Sequence, residues 1–591
     1  MPETVADRPQ RAFVLGDRLF RQRPSCLGAT CLVLIAAVIA LPLRGLYAAT
    51  GSSMEEAFML VFPQQLRDGQ VPNVDFLHLY GPGSLDVLVG WYGLFGHSLA
   101  SERTFGLLQH IGIILAIYAI TRAWGHVAAT TCAVACTLLV LTPIGLSALA
   151  WEGGVALGLW SVVFGLRALH LSARADDGWT RQITRNVVVA AVLAGLALCY
   201  RPDLVIALVL AHGWLLWRSR RARKPFVIGL VAGLLPLIIH LFVAGLGPSI
   251  RGMVLDPVFH LRPGRELPRP PSWSVIDGAL QAVAEGSPPW WRFPALGASH
   301  QLFIWFFAMI ITAVVVVLVA RKTIKRGDRG RGATLMMAGL FGLGIVPQAL
   351  QRPDSTHLAW VVCVCFSLIP VTLIEVLHWR RPRTTHRVNL ISAIVAMGAV
   401  FFIVCPFFTY RAYLLQARVS VGNKRYPFEV KYEGREFWMG NAPLADASNK
   451  LIADLAKMSK PGERLLVGPA DLSRTIYSDV MFYYMFPDLV PATYYIEMDP
   501  GLADKPGSSL AADVQSADWL VLTNFWTGWH EPNASSNFGS DAPNQVVAKD
   551  FCLVGNYDDA LALLYHRCVA GSGISPAEVG ERSAKVRAAG G

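Results

Sequence analysis

The chain has 591 residues, of which 53% are hydrophobic and only 16% are charged, and its formal net charge is +11. Soluble domains average about 25% charged residues, so this composition excludes an ordinary soluble enzyme and indicates an integral membrane protein. The basic residues fall in short clusters between apolar runs, as membrane topology requires, so no nucleic-acid partner is expected.

The apolar runs predict the membrane spans. A span needs roughly 20 apolar residues to cross about 30 Å of hydrocarbon. Runs of this kind lie near 27–48, 104–123, 127–148, 151–171, 226–246, 301–320, 333–350, 357–378 and 388–408. The first run lacks a convincing cleavage pattern, so residues 1–26 are predicted to be a cytoplasmic segment before a retained span.

A further apolar segment, 186–217, is interrupted by the sequence YRPD at 200–203. As a single helix it would be about 48 Å long, which exceeds the thickness of the hydrocarbon. Two short crossings that turn at this break keep the flanking clusters RQITR and RSRRARK on the same side, as the positive-inside rule prefers. We therefore predict an α-helical polytopic membrane domain over 27–408 with about eleven transmembrane helices, the N-terminus inside and the C-terminus outside.

The composition changes from about residue 409. DASNKLIADLAKM has helical spacing, and ERLLVGP and ADWLVLTN are short buried-strand patterns. This alternation predicts an extracytoplasmic α/β domain over 409–570, followed by a disordered tail over 571–591. FCLVGNYDDALALLYHRC predicts a hairpin that brings Cys552 near Cys568, with a disulfide and two buried thiols as equal alternatives.

Several polar segments share the outer face in this topology. They are the first outer loop at 49–103, the outer loop at 247–300, and the turns at 151–152, 200–203 and 351–357. A transporter would more often bury such groups near the membrane midplane. Their convergence at one interface is typical of an active site.

The motifs of the first outer loop occur in a distinctive order. They are the acid pair Glu55 and Glu56, G-x-x-P-x-x-D-F at 69–76, YGP at 80–82, LFG at 94–96, and Glu102 with Arg103 opening the second span. Together with the turns RPD at 201–203 and RPDSTH at 352–357, they resemble the GT-C superfamily of integral membrane glycosyltransferases, particularly the lipid A aminoarabinose transferase and the protein O-mannosyltransferases. The resemblance covers about the first 410 residues. It departs at the acid pair, where many relatives carry Asp.

The resemblance implies an inverting transfer of a sugar from a polyprenyl-phosphate-linked donor, amid membrane lipids, at the outer face of the cytoplasmic membrane. The acceptor would be a glycan, a lipid or a protein of the cell envelope. One carboxylate would take the proton of the acceptor hydroxyl, and cations would hold the leaving phosphate. Adjacent residues point about 100° apart on a helix, so only one of the catalytic candidates Glu55 and Glu56 should face the site, and Glu55 is favoured.

Eight further residues are predicted to bind substrate: Asp75, His78, Tyr80, Arg201, Arg262, Arg265, Arg352 and His357. For Arg201 and Arg352 the alternative is an ion pair with the aspartate of the same turn. For the arginines of the outer loop it is contact with anionic lipid headgroups. For YGPG it is a turn into an amphipathic helix at the interface.

No metal-binding motif is present, so no cofactor is predicted, although a divalent ion shared by the two glutamates remains an alternative. The sequence has no Walker loop or Rossmann fingerprint, which argues against a nucleotide donor. Two other functions stay open. One is a transporter or flippase of lipid-linked sugars, which should show internal repeats, and the other is a catalytically inactive scaffold of an envelope-synthesis complex.

Overall fold

The computed structural model describes residues 26–142, 145–174, 178–282, 296–380, 385–405, 407–422 and 428–568. The predicted N-terminal segment up to residue 25, part of the second outer loop and the predicted tail lie outside these residues.

The membrane domain is built from long apolar helices. In the described part of the chain, eight helices are long and apolar enough to cross a membrane, and a bent pair brings the number to nine if it is one span. The eight are Cys26–Leu46, Leu99–Trp124, Ala150–Ser172, Arg181–Tyr200, Ala298–Lys325, Arg329–Gln351, Ser355–Arg380 and His386–Ile403. The bent pair is Arg220–Gly233 with Leu235–Ala244, which meet at 47°.

The other two predicted crossings are short helices. His126–Val140 has 15 residues and Val205–Arg218 has 14. At 1.5 Å per residue they are only about 21–23 Å long, less than the roughly 30 Å of a hydrocarbon core. The predicted break at 200–203 is confirmed, because a 3₁₀ turn, Pro202–Leu204, separates two helices there. The polytopic helical fold is thus confirmed, whereas the count of eleven is not.

Small residues let the membrane helices approach closely. A Cβ at Gly195 would lie 2.7 Å from the backbone of Gly233, so Arg181–Tyr200 and Arg220–Gly233 are in backbone contact at this point. Such small-residue contacts are typical of helix packing in membranes, where apolar burial alone gives little driving force.

The segments between the spans carry further helices. These are Glu55–Arg67 and Gly83–Phe95 in the first outer loop, Leu246–Ile250, a π-helix Arg251–Leu261 and Arg262–Arg265 in the second, and Ala412–Ser420 after the last span. The predicted helix after YGPG is confirmed as Gly83–Phe95, whose Leu94 and Phe95 side chains are exposed.

The C-terminal domain is α/β, as predicted. Its strands are β1 (Glu429–Tyr432), β2 (Arg435–Trp438), β3 (Arg464–Pro469), β4 (Val490–Pro491), β5 (Trp519–Thr523), β6 (Phe551–Tyr557) and β7 (Ala562–Arg567). Strands β1 and β2 form a hairpin, and the other five form one sheet in the order β4-β3-β5-β7-β6. Strand β3 is parallel to β4 and β5, whereas β7 is antiparallel to β5 and β6. The helices of this domain are Ala442–Met458, Met481–Met485, Leu510–Ser516 and Ala542–Asp550.

The C-terminal domain is attached to the first outer loop by packing and by backbone hydrogen bonds. The Gly51 amide donates to the Trp438 carbonyl at 2.8 Å, and the Leu77 amide donates to the Tyr494 carbonyl at 2.8 Å. Phe58 of the helix Glu55–Arg67 belongs to the same apolar core as the side chains of the C-terminal sheet. This shared core fixes the start of that helix against the C-terminal domain.

Cys552 and Cys568 form a disulfide that ties the start of β6 to the residue after β7. Of the two alternatives left by the sequence, the structure has the disulfide. The two residues are separated by 16 positions in the chain. Closing a loop of about this length stabilises a fold by about 3 kcal/mol through the loss of freedom of the unfolded chain.

We therefore expect the double variant Cys552→Ala/Cys568→Ala to lower the midpoint of thermal unfolding of the purified chain. Reductant should produce the same shift in the unmodified protein and none in the variant. Cys26→Ala removes an exposed free cysteine and serves as the control. Equal midpoints for all three proteins would contradict the expected contribution.

Candidate functional site

A cavity of about 270 Å³ lies where the first outer loop, the turns between spans and the C-terminal domain meet. Seven of the ten predicted site residues line it: Glu55, Tyr80, Arg201, Arg262, Arg265, Arg352 and His357. The other three, Glu56, Asp75 and His78, are not among the residues of its wall. The fold thus brings to one site predicted residues that are up to 302 positions apart in the sequence, from Glu55 to His357.

Glu55 is the first residue of the helix Glu55–Arg67 and lines the cavity. The hydroxyls of Ser52 and Tyr477 both donate to its Oε2 atom. Among the described residues, no group donates to Oε1. One oxygen therefore holds the carboxylate in place, and the other is available to a ligand.

Tyr477 comes from the C-terminal domain, in the loop after β3. Burial, and then the neighbouring Glu55 carboxylate, raise the pKa of Tyr477 well above its ordinary value. The hydroxyl therefore remains a proton donor to Glu55 across the physiological pH range.

We expect Tyr477→Phe to lower the turnover rate about tenfold. The variant loses the hydrogen bond that orients the Glu55 carboxylate, and a loss of about 1.4 kcal/mol corresponds to a factor of ten. The KM values should change little, because the ring that fills the wall is retained. Steady-state kinetics with a melting curve tests this expectation. A drop in melting temperature with an unchanged rate would indicate a structural role only.

Glu56 is buried and forms an ion pair with Arg103. Arg103 Nε donates to Glu56 Oε1 at 2.7 Å, and Nη2 donates to Oε2 at 2.8 Å. Nη1 of the same arginine donates to the Tyr47 carbonyl at 2.8 Å. Glu56 therefore connects its helix, through Arg103, to the ends of the first two spans. Glu55 and Glu56 have different surroundings because adjacent side chains on a helix point in different directions.

Arg201 lies between two aromatic rings. Its guanidinium carbon is 4.5 Å from the ring centre of Tyr80 and 5.0 Å from that of Trp151. Nε and Nη2 donate to Asp203 at 2.9 and 2.7 Å. The ion pair within the turn is thus present, but Nη1 has no hydrogen-bond partner among the described residues and can serve a ligand in the cavity.

Arg352 is held on three sides. Nε donates to Asp354 at 3.2 Å, Nη1 donates to the carbonyl of Arg265 at 2.8 Å, and Nη2 donates to Glu531. These bonds join the turn after one span to the second outer loop and to the C-terminal domain. The charge of Arg352 faces the cavity as part of this network.

His357 belongs to the same turn. Its Nδ1 lies 2.9 Å from Asp354 Oδ2, and its ring packs on Trp360 with the ring centres 4.6 Å apart. The aspartate orients the ring, because it engages one of the two nitrogens. The second nitrogen has no hydrogen-bond partner in the described part of the chain, and the residue lines the cavity.

The arginines of the second outer loop differ. Arg262 is only loosely paired, with Nε 3.9 Å from Glu266, and its side chain is 40% exposed. Arg265 Nη2 donates to Asp499 at 2.6 Å. Although burial opposes it, this carboxylate raises the pKa of Arg265 above its ordinary value, so the guanidinium stays charged.

The contacts of Asp75 and His78 stabilise the first outer loop, and neither residue lines the cavity. Asp75 accepts a hydrogen bond of 2.7 Å from the Val71 amide and thereby closes a turn. His78 is fully buried between the rings of Phe62 and Tyr80, whose centres are 5.4 and 5.7 Å away. Burial lowers the pKa of His78 to about 3, so the ring is neutral.

Several cavity residues of the C-terminal domain were not predicted from the sequence. They are Ile476, Tyr477, Glu497, Asp499, Pro500, Trp529, Glu531 and Ser535. The family motifs end near residue 410, and no local pattern marks these positions. The one signal is the pair of acids within the apolar stretch YYIEMDP at 494–500. In the part of the chain that the structure describes, no three His, Cys, Asp or Glu residues form a group that could hold a metal ion.

No family model and no curated protein matches this sequence. Among solved structures, the chain is similar to ArnT from Cupriavidus metallidurans bound to undecaprenyl phosphate, with 14% identity, a TM-score of 0.46, and coverage of 93% of this chain and 100% of that one. ArnT is one of the proteins that the sequence motifs resemble, and at this identity and TM-score the match carries no argument about the family or role of this chain.

The apo state of the same ArnT gives 12% identity, a TM-score of 0.46, and coverage of 93% and 99%. The Archaeoglobus fulgidus oligosaccharyltransferase in complex with Zn and sulfate gives 12% identity, a TM-score of 0.39, and coverage of 91% and 73%. With TM-scores below 0.5, these similarities do not decide the function, which is inferred below from the residues of this chain.

Proposed function

We propose that this protein is an inverting glycosyltransferase that moves a sugar from a polyprenyl-phosphate-linked donor to a cell-envelope acceptor. The observation that carries this proposal is the shared cavity of Glu55, with its free Oε1 atom, and of Arg201 and Arg262, with their unfilled donor groups. A carboxylate base and guanidinium groups with N–H donors left for a ligand, all in one cavity, are what transfer from a phosphate-linked sugar requires.

The π-helix Arg251–Leu261 supports a lipid-linked donor. Met253, Val258 and Leu261 of this helix line the cavity, and Phe259 on the same helix is 64% exposed. An apolar wall beside arginines suits a molecule with a hydrocarbon chain on one side and a phosphate on the other. The exposed ring fits contact with the membrane interface.

The reaction would proceed in one displacement. Glu55 takes the proton of the acceptor hydroxyl, and the acceptor oxygen forms a bond to the anomeric carbon from the side opposite the phosphate. The bond between that carbon and the phosphate oxygen breaks, so that polyprenyl phosphate leaves with the bonding electrons. Its growing negative charge is held by Arg201 and Arg262, with His357 and Arg265 nearby in the same wall.

The outer face of the cytoplasmic membrane is the proposed location of the site. The basic clusters between spans favour a cytoplasmic position for the opposite loops. The disulfide of the C-terminal domain also supports this side, since disulfides persist in oxidising compartments.

Arg201→Met is expected to raise the donor KM about tenfold or more, because a charge-assisted hydrogen bond to phosphate contributes about 1.5–3 kcal/mol. The variant leaves Asp203 unpaired at little cost, since that side chain is 46% exposed. Arg201→Lys should recover part of the loss, and Arg251→Met is the control, since Arg251 is exposed and is not part of the cavity wall. Equal donor KM values for Arg201→Met and Arg251→Met would contradict the phosphate role.

A proteoliposome experiment separates the proposed transferase from a flippase. Purified protein is reconstituted with labelled polyprenyl-phospho-sugars, and both sugar transfer and movement of the label between leaflets are measured. A transferase forms a labelled glycosylated product and free polyprenyl phosphate. Label that changes leaflet while the sugar–phosphate bond stays intact would overturn the proposal in favour of a flippase.

A further inference from the structure

The proposed reaction leaves the acceptor open between a glycan, a lipid and a protein. We propose that the acceptor is a glycan, and that the C-terminal domain binds it through the buried acids Glu497 and Asp499 and the aromatic side chains around Tyr477. This inference rests on the proposed glycosyl transfer and names the second substrate of the same site.

The acid pair is unusual for a protein interior. Glu497 is 5% exposed and Asp499 is 1% exposed, yet both line the cavity. Asp499 Oδ1 accepts from Arg265, but Asp499 Oδ2 and Glu497 Oε1 have no hydrogen-bond partner among the described residues. A buried polar atom without a partner is costly, so these two oxygens are groups that a ligand would satisfy.

The two acids offer complementary hydrogen bonding. Burial, and then the charge of Asp499, raise the pKa of Glu497 well above its ordinary value. Burial also raises the pKa of Asp499, while Arg265 opposes this change. A carboxyl group accepts through its oxygens and, when protonated, also donates, which matches neighbouring sugar hydroxyls that each both donate and accept.

A second, smaller pocket of about 40 Å³ adjoins the wall of the main cavity. Both are lined by Ile476 and Tyr477. The small pocket lies at the carboxyl ends of β3 and β5. Strands β4 and β5 lie on opposite sides of β3, so the order of the strands reverses direction at β3. Open α/β sheets bind ligands at the carboxyl ends of the strands at such a point.

Aromatic rings around Tyr477 line both pockets. The Tyr477 ring centre is 4.5 Å from that of Trp526 and 5.6 Å from that of Trp529. Trp529 lines the main cavity, whereas Trp526 and the 56% exposed Phe538 line the smaller pocket. Flat apolar rings beside hydrogen-bonding groups suit sugar rings, which have apolar faces and polar edges.

The placement suits a chain of at least two sugars. Tyr477 separates the pockets and also donates to Glu55, so a sugar in the main cavity would have a hydroxyl near the base. The preceding sugar would then extend past Tyr477 towards the smaller pocket and its exposed Phe538 ring.

The test uses the full-length chain in lipid nanodiscs with a defined donor. The acceptors are di- to tetrasaccharides of envelope glycans, a peptide with serine and threonine hydroxyls, and a hydroxylated lipid. We expect the saccharides to be the acceptors. Glu497→Leu should raise the saccharide KM about tenfold, Phe538→Ala and Trp529→Ala severalfold, and all three should change the acceptor KM more than the donor KM. Val554→Ala, at an exposed position of β6, is the control.

The melting temperature of Glu497→Leu distinguishes a binding role of Glu497 from a structural one. The variant replaces an unpartnered buried carboxyl with an apolar side chain of similar size, so the melting temperature should stay the same or rise while saccharide affinity falls. A purely structural role of Glu497 predicts the reverse, with a lower melting temperature and an unchanged KM.

Donor hydrolysis by water, measured without any acceptor, separates the two proposals. If the donor is cleaved but peptide or lipid acceptors are preferred, or if the variants leave the saccharide KM unchanged, the glycan inference is overturned and the transferase stands. If no donor is cleaved while saccharides still bind the unmodified chain and bind the variants more weakly, the transferase proposal fails and the glycan site stands.

Discussion

Glu55→Gln is expected to lower the rate of sugar transfer by about 10²–10⁴-fold, the range that a positioned general base contributes. Glutamine keeps the size of the side chain and the acceptor atom for Ser52 and Tyr477, so the local fold should persist. It lacks a group that can take a proton. Binding of the donor should therefore be retained while its consumption slows by that factor.

Asp68→Asn is the matched control for this variant. Asp68 follows the opposite end of the same helix, is exposed, and is absent from the cavity wall. The comparison requires steady-state rates, donor binding and melting curves for the two variants. A Glu55→Gln enzyme with a rate within a factor of three of the Asp68→Asn enzyme would remove Glu55 from the mechanism.

Arg103→Met is expected to produce the largest loss of stability, about 3–5 kcal/mol, because it leaves the carboxylate of Glu56 buried without a partner. The double variant Arg103→Met/Glu56→Leu should recover much of this loss, since neither charge then remains in the interior. Thermal unfolding of the detergent-purified proteins gives the ranking of midpoints. Arg103→Met should therefore lower the melting temperature more than the rate of sugar transfer, whereas Glu55→Gln should lower the rate and leave the melting temperature unchanged.

Lys450→Met is the control for the broken ion pair. Lys450 pairs with Asp558 at 2.9 Å, but its side chain is 57% exposed. Water screens an exposed ion pair and leaves it little net contribution, so the midpoint of Lys450→Met should stay close to that of the unmodified chain. A double variant as unstable as Arg103→Met would contradict the account of an uncompensated buried charge.

The sequence was sufficient for features that depend on local patterns. The apolar runs predicted the long spans, YRPD at 200–203 predicted the break before Val205–Arg218, and the buried-strand patterns predicted β3 and β5. The count of eleven crossings is not confirmed in the described residues, because two of the predicted apolar runs form helices shorter than a span there. A hydropathy pattern gives the extent of an apolar run but not where its helix ends.

The site was predictable only in part, for a different reason. Helical geometry alone indicated that Glu55 and Glu56 would point in different directions. In the structure Glu55 lines the cavity and Glu56 pairs with Arg103. The partner of Glu55, however, lies 422 positions away at Tyr477. No periodicity in the sequence encodes a contact of that separation, so Tyr477 and Glu497 came only with the three-dimensional structure.

The central claim is that this cavity transfers a sugar from a lipid phosphate. The most direct measurement incubates the purified chain with an isotopically labelled polyprenyl-phospho-sugar and a glycan acceptor, and determines the products by mass spectrometry and NMR. We expect a glycoside of inverted anomeric configuration and one equivalent of polyprenyl phosphate, and we expect Glu55→Gln to form both about 10²–10⁴-fold more slowly. Retained configuration would contradict the single displacement, and transfer at an equal rate by Glu55→Gln would contradict the assignment of the base.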